Sequence, residues 1–433
     1  MEDFTNFFLL KDPNVRWVLL AVVLMSASSA VTGCFTFLRK RALVGDAISH
    51  AILPGICLAF IITQTKNPFF LLIGAFISGW IGLMTIDFIT NNTRLKTDAA
   101  LGLVLSVFYG FGVLLLTSIQ NSGNATQAGL DKFLFGKAAS MMQEDVIVFA
   151  SFSLVLLVVV VVFFNSFRLV IFDREYAITR GMPVKLLEML LSVLTVFAIS
   201  IGIQTVGVVL MAALLITPAA AARYWTEKLM TMVALSAVFA VVSGIIGTYV
   251  SYSVPKMPTG PWIVTVLSLL TIFSVLVGRK RGVLAAWVKK RKNKRKMMRE
   301  NILKALYHID EIKGDFNQWR TLAEIRNKRW IEEEDMKRAV RQLKRRHLLE
   351  TKTGGWARFT PEGIEEGRRI VRVHRLWEMY LSRYMQLPAD HVHEDAEAIE
   401  HIITPEIEAE LLSKLDYPLM DPHDKPIPYN STN

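Results

Sequence analysis

Apolar residues come in runs close to a membrane's thickness from residue 16 to residue 278, and the pattern then changes to the mixed periodicity of a water-soluble chain. Nine runs can be drawn, at 16–38, 43–63, 68–90, 98–119, 145–164, 184–203, 206–222, 229–252 and 262–278. A helix needs about 20 apolar residues to cross the hydrocarbon of a bilayer. Runs this long and this numerous exceed what a soluble core buries, so they predict an all-α polytopic membrane domain. Only Gln204 and Thr205 separate the sixth run from the seventh, and that pair is expected to be a broken or tightly turned helix.

Beyond Gly278 the pattern predicts helices at 300–310, 321–328 and 332–347. A strand, a Gly354-Gly355 turn and a second strand follow over 351–360. Thr360 and Pro361 are an N-cap and a first-turn proline for a long helix reaching about residue 385. Three helices and a hairpin in that order are a winged helix-turn-helix. The expected division is a membrane domain at 1–278, a basic linker at 279–299, a winged helix at 300–360 and a helical region at 361–433.

Charge sets the orientation. The net charge is +11, yet eleven Lys and Arg and no acid fall between Arg279 and Arg299; elsewhere 38 bases balance 38 acids. One basic run beside a membrane reads as a cytoplasmic anchor rather than a nucleic-acid patch. Arg39–Arg41, Arg94 with Lys96, Arg174 with Arg180, and Arg223 with Lys228 mark the other loops on that side, while the loops around Asn67, 120–131 and Met257 are poor in bases. Nine crossings with the N-terminus outside and the C-terminus in the cytoplasm satisfy this bias; eight would require merging two runs. The first run lacks a basic leader and is read as a retained helix rather than a signal peptide. Cys34 and Cys57 lie in apolar runs, far from any thiolate motif, and read as core residues.

The candidate chemistry is Asp46 and His50. Four residues apart on a helix, a carboxylate and an imidazole converge on one point of one face. Ionisable groups at membrane depth are costly and face a bundle interior or a water-filled path. An oxygen and nitrogen pair without thiolate suits Mn(II), Zn(II) or Fe(II) rather than Cu(I). The bland readings are that Asp46 pairs with Arg41 or caps its helix and that His50 is an ordinary core histidine. Asp87, Asp98 and Glu188 fall near cytoplasmic interfaces, where pairing or snorkelling explains them. Pro54 and Pro218 are expected to kink their helices.

The stretch 41–60, the segment Phe172-Asp173-Arg174-Glu175-Tyr176-Ala177 continuing to Arg180-Gly181-Met182-Pro183, and the run from Gly207 to Ala220 together resemble the zinc, manganese and iron ABC transporter permease family over about 15–278. The resemblance implies a non-enzymatic permease subunit in a bacterial cytoplasmic membrane, with divalent metal as substrate (manganese first, zinc or iron next) and no permanent cofactor. It places Asp46 and His50 on the metal path. It places a coupling helix for an ATPase at about 172–183, with Asp173, Glu175, Ala177, Gly181 and Pro183. It also implies a second permease subunit, simplest as a homodimer, and an extracytoplasmic metal-binding protein. No G-x-x-x-x-G-K-[ST] motif occurs in the chain, so ATP chemistry belongs to another subunit.

The tail, over about 297–430, resembles the iron- and manganese-dependent repressor family named for the diphtheria toxin repressor. The residues that carry this are His374-Arg375-Leu376-Trp377-Glu378, the stretch from His393 to His401, and Pro426-Ile427-Pro428. The resemblance implies a metal cluster of His374, Glu397, Glu400 and His401, with Glu378 and His393 at an ancillary site. Glu397 stands where iron sensors of the family carry cysteine, which favours the manganese branch. Asn301 and Lys304 stand where that branch has acidic ligands, and a charged lysine does not ligate. The third helix opens on Glu332-Glu333-Glu334-Asp335, which opposes DNA phosphates, while Arg338, Arg341, Lys352 and Arg358 favour them. A metal-sensing tail, a feedback gate and a membrane-tethered regulator that binds DNA are the alternatives for this half.

Overall fold

A computed structural model describes residues 6–121, 136, 141–254, 257–328, 331–386, 401 and 403–429. The chain divides into two compact units, Met1–Ala286 and Trp287–Asn433.

The first unit is helical throughout its described residues. Its order is α1 (Pro13–Leu38), α2 (Val44–Ala51), α3 (Leu53–Thr63), α4 (Pro68–Asn92), α5 (Thr97–Asn121), α6 (Gln143–Phe172), α7 (Arg174–Thr179), α8 (Val184–Val206), α9 (Val208–Arg223), α10 (Leu229–Ser253) and α11 (Thr259–Val277). Among the described residues, eight spans are long and apolar enough to cross a membrane, with α2 and α3 forming one of them. The remaining apolar run, the seventh, is α9, whose apolar part Leu210–Arg223 is shorter than the others. The expected break at Gln204 and Thr205 falls instead at Gly207, whose φ of 87° is open to glycine and strained for other residues. Proline shapes the second span, where the helix is interrupted at Ile52, two residues before Pro54. Pro218, by contrast, lies inside α9 without ending it.

Small residues draw these helices together. A Cβ on Gly55 would lie 2.0 Å from the Gly74 carbonyl oxygen, and one on Gly74 would lie 2.4 Å from that of Gly55, so α3 and α4 touch backbone to backbone. Close crossing of this kind replaces the hydrophobic drive that lipid cannot supply. Ser78 adds a cross-link, its hydroxyl donating to the Ala51 carbonyl at 2.6 Å. Cys34 and Cys57 are buried and unbridged.

The second unit holds most of α12 (Val283–Lys313), and the basic run is itself helical from Val283 onward. Alanine, leucine, lysine and arginine favour helix, and neither glycine nor proline occurs between 283 and 313. Then come β1 (Arg320–Thr321), α13 (Leu322–Lys328), α14 (Glu333–Arg345), β2 (Leu349–Lys352), β3 (Trp356–Phe359), α15 (Pro361–Met385) and α16 (Pro405–Lys414). The sheet order is β1-β3-β2, antiparallel, with Leu349 opposite Phe359. Gly354 and Gly355 both have positive φ, as a tight hairpin turn of this hand requires. Three helices and this hairpin follow one another in the expected order, around a core of Ile302, Leu306, Ile325, Val340, Leu343 and Phe359. Thr360 caps α15 as expected, accepting from the Gly363 N–H at 3.0 Å.

Arg375 fastens the C-terminal segment to this core. It is 1% exposed, donates to both Glu311 carboxylate oxygens at 2.9 and 2.7 Å and to the Pro426 carbonyl, and lies 3.5 Å from Asp421. Burial alone would push the Glu311 carboxyl up, but hydrogen bonds from His308 and Arg375 outweigh it and hold the group at about 2. A carboxyl depressed in the folded state stabilises fully above its unfolded value and loses that contribution as pH falls through the folded one. Hydrogen exchange along α15 in the full chain is therefore expected to quicken on acidification from about pH 4.3 to pH 2. Arg375→Ala, which takes the guanidinium away from the Glu311 and Asp421 carboxylates, is expected to destabilise the tail by about 3–5 kcal/mol at neutral pH and to raise the same exchange.

Candidate metal site

Asp46 and His50 both lie on α2, Asp46 in its first turn and His50 in its last. This short helix packs against α4, α5 and α9. Gly45 permits the contact with α9: a Cβ there would sit 2.9 Å from the Leu215 side chain. Between the pair, His50 Nε2 and Asp46 Oδ1 stand 3.7 Å apart, wider than a hydrogen bond. Two ligand atoms bound to one tetrahedral zinc-like ion lie about 3.4 Å apart, so the gap is nearly the width that an ion spans.

The surroundings hold the imidazole and leave the carboxylate open. The His50 ring stands edge-on to Tyr109 of α5, with centroids 4.8 Å apart and planes at 81°. Its Nδ1 is buried without a hydrogen-bond partner among the described residues. The side chain of His50 is 17% exposed, that of Asp46 45%. Arg41, the alternative partner for Asp46, pairs with Asp87 at 3.3 Å instead. Asp46 is therefore not spent on Arg41 and makes no capping hydrogen bond, and His50 has a buried nitrogen with no hydrogen-bond partner among the described residues. Among the described residues no group of three or more His, Cys, Asp or Glu side chains is placed to hold a metal ion. The pair supplies two ligands, and the other positions of an ion's shell must be filled from outside this set.

The segment around 172–183 forms a separate feature. Asp173 caps α7, its carboxylate accepting from the Tyr176 N–H at 3.0 Å. Ala177 is fully buried and Gly181 has a φ of 70°, which closes the turn before Pro183 and α8. Arg174 pairs with Glu188 at 3.1 Å, fixing the segment to α8. Glu175, Tyr176 and Ile178 face outward, an acid beside apolar surface on a six-residue helix.

In the tail, the structure joins His374 and Glu378, with Nε2 and Oε1 3.0 Å apart. His401 pairs elsewhere, its Nδ1 2.7 Å from Glu300 Oε2. His393, Glu397 and Glu400 lie outside the described residues. Asn301 and Lys304, the departures from the ligand pattern, are both buried, and Lys304 Nζ sits 2.9 Å from His374 Nδ1. The third helix spends its charges within the tail: Glu333 holds Lys337 at 2.6 Å, Glu334 holds Arg338 at 2.5 Å, and Asp335 meets Lys294 at 3.2 Å. Lys352 and Arg358 of the wing both lie over the Trp319 ring, at 4.1 and 4.8 Å. Sequence spacing gave no sign of Tyr109, Leu215 or Glu300 as partners, because each meets its contact across tertiary structure.

A bundle of long apolar helices joined by close glycine crossings defines a multi-pass membrane protein. Residues 11–278 match the ABC 3 transport family, and the chain belongs to that family. Residues 360–429 match the iron dependent repressor, metal binding and dimerisation domain. The chain is 42% identical, over 87% of its length and 86% of the relative's, to the manganese transport system membrane protein MntC of Bacillus subtilis. It is 43% identical, over 64% of its length and 93% of the relative's, to the zinc transport system membrane protein TroC of Treponema pallidum. A solved structure, PsaBC from Streptococcus pneumoniae in complex with Fab, matches 67% of this chain and 99% of its own with 29% identity and a TM-score of 0.59. The chain is thus a permease of the metal ABC transporter type fused to a repressor-like tail.

Proposed function

We propose that the chain is the membrane subunit of an importer for a divalent transition metal, manganese first, and that the metal passes Asp46 and His50. The observation that carries this is the 3.7 Å gap between Oδ1 and Nε2, with Nδ1 of the same imidazole buried and unsatisfied. The relatives named for manganese and zinc transport support the choice of cargo. Oxygen and nitrogen donors hold these ions without the thiolates that would trap a soft one, so the cargo can leave again.

Two ligands fall short of the four to six that such ions take. A second copy of the chain, presenting the same pair across a two-fold axis, completes the shell, and the open face of Asp46 is where it would do so. ATP hydrolysis comes from a separate subunit, which docks on Glu175, Tyr176 and Ile178 of α7. An extracytoplasmic metal-binding protein delivers the ion on the other side, and the basic run keeps the tail cytoplasmic.

Elemental analysis of cells with and without the gene tests the cargo: manganese content should rise with the gene, whereas a rise in zinc alone would reassign the metal and no rise in any would reject the reading. For the docking face, Glu175→Lys combined with Tyr176→Ala is expected to cut copurification of the ATPase subunit at least about tenfold, the loss of one interfacial anchor. Unchanged copurification would remove α7 from the interface.

A further inference from the structure

Fusion to a metal-binding domain implies a divalent ion at His374, and such an ion requires an imidazole nitrogen with an available lone pair. The structure commits both nitrogens. Lys304, 3% exposed, reaches Nδ1 at 2.9 Å, and an ammonium has three donors and no acceptor, so Nδ1 accepts. The ring proton then sits on Nε2 and is donated to Glu378 Oε1, 3.0 Å away. Lysine, imidazole and carboxylate form a buried chain of alternating donors and acceptors.

The second histidine is held by the same helix. Lys296 Nζ donates to the His401 backbone carbonyl at 2.8 Å and lies 3.7 Å from Glu300, whose carboxylate meets His401 Nδ1 at 2.7 Å. Lys296, Glu300 and Lys304 recur every four residues, so one stripe along α12 clasps both histidines. A divalent ion brought to His374 would meet the ammonium of Lys304 within a few ångströms in a pocket closed to water, where like charges repel strongly.

We infer that the Lys304 ammonium stands where a divalent ion would stand at His374, so that the tail is held folded by its own cation and takes no manganese, zinc or iron through His374. The residues present do not fit the metal the domain family implies. Conditions that load or strip metal then leave this part of the tail unchanged, and any response to metal arises elsewhere in the chain.

The test counts manganese on purified full-length protein carrying Asp46→Ala and His50→Ala, dialysed against MnCl2 and analysed for metal per chain. With the transport pair removed, the count is independent of what crosses the membrane. Adding His374→Ala is expected to leave it unchanged. Adding Lys304→Glu instead, which exchanges the ammonium for a carboxylate, is expected to raise it by one ion per chain, and His374→Ala should take that ion away again. Lys304→Gln, neutral and of similar reach, reports by its circular dichroism and melting whether the tail tolerates loss of the charge. Manganese that His374→Ala removes from protein with Lys304 intact would overturn the inference, as would a folded Lys304→Glu protein that gains none. Should Lys304→Glu fail to fold, the His374→Ala comparison decides alone.

Discussion

Metal uptake is expected to fall at least about 100-fold when either Asp46 or His50 is replaced by alanine, because loss of mere supporting contacts to a metal ligand already costs 10–100-fold. Each side chain supplies one of the two donors that flank the 3.7 Å gap, so either deletion leaves a single ligand per chain. The protein should remain folded. Asp46 is half open to its surroundings, so truncating it creates no cavity, while replacing His50 removes its edge contact with Tyr109 and a buried nitrogen with no hydrogen-bond partner among the described residues. Uptake and membrane abundance therefore separate: immunoblots of the membrane fraction should show wild-type levels while radiotracer manganese entry disappears. Asp46→Glu, which keeps the carboxylate but lengthens its arm, should retain partial uptake. A loss of protein in parallel with the loss of uptake would reduce the pair to structural residues.

The second large effect is expected at Gly33, in the bundle that carries the site. A Cβ at that position would fall 1.7 Å from the Leu215 carbonyl oxygen, which belongs to backbone and cannot rotate aside. The helices α1 and α9 therefore touch through a Cα–H···O contact that only glycine allows. Gly33→Val must push α9 away, and α9 is the helix whose Leu215 packs on Gly45, one residue before Asp46. The expected cost is at least about 3 kcal/mol, the upper range for an overpacked core, read as loss of monodisperse protein in detergent and a lowered melting temperature. Gly102, with open space around its Cα, is the control: Gly102→Val should leave both unchanged.

The elements that were legible before folding are those whose signal is local. The apolar runs, the Thr360 cap, the Pro361 start and the Gly354-Gly355 turn each depend on a handful of adjacent residues, and the helices and hairpin appear where these signals put them. The i, i+4 spacing of Asp46 and His50 is equally local, and the structure brings the two side chains to one face. Register across tertiary contacts was not legible. Gly207 rather than Gln204 breaks the helix pair because a helix tolerates a polar residue but stops where the backbone turns to positive φ. Arg41 stood beside Asp46 in sequence, yet it pairs with Asp87 of α4. In the tail, His374 meets Lys304 and His401 meets Glu300, residues about 70 and 100 positions away, and no local spacing marks either contact.

Manganese is its own spectroscopic probe, and the most direct test is pulsed electron paramagnetic resonance of Mn(II) bound to the purified wild-type protein. Bound metal is expected to show the modulation of a directly coordinated imidazole nitrogen, absent from His50→Ala and present in His374→Ala. An unchanged nitrogen signal in His50→Ala, or manganese that binds wild type with water ligands only, would contradict a transport site built on Asp46 and His50.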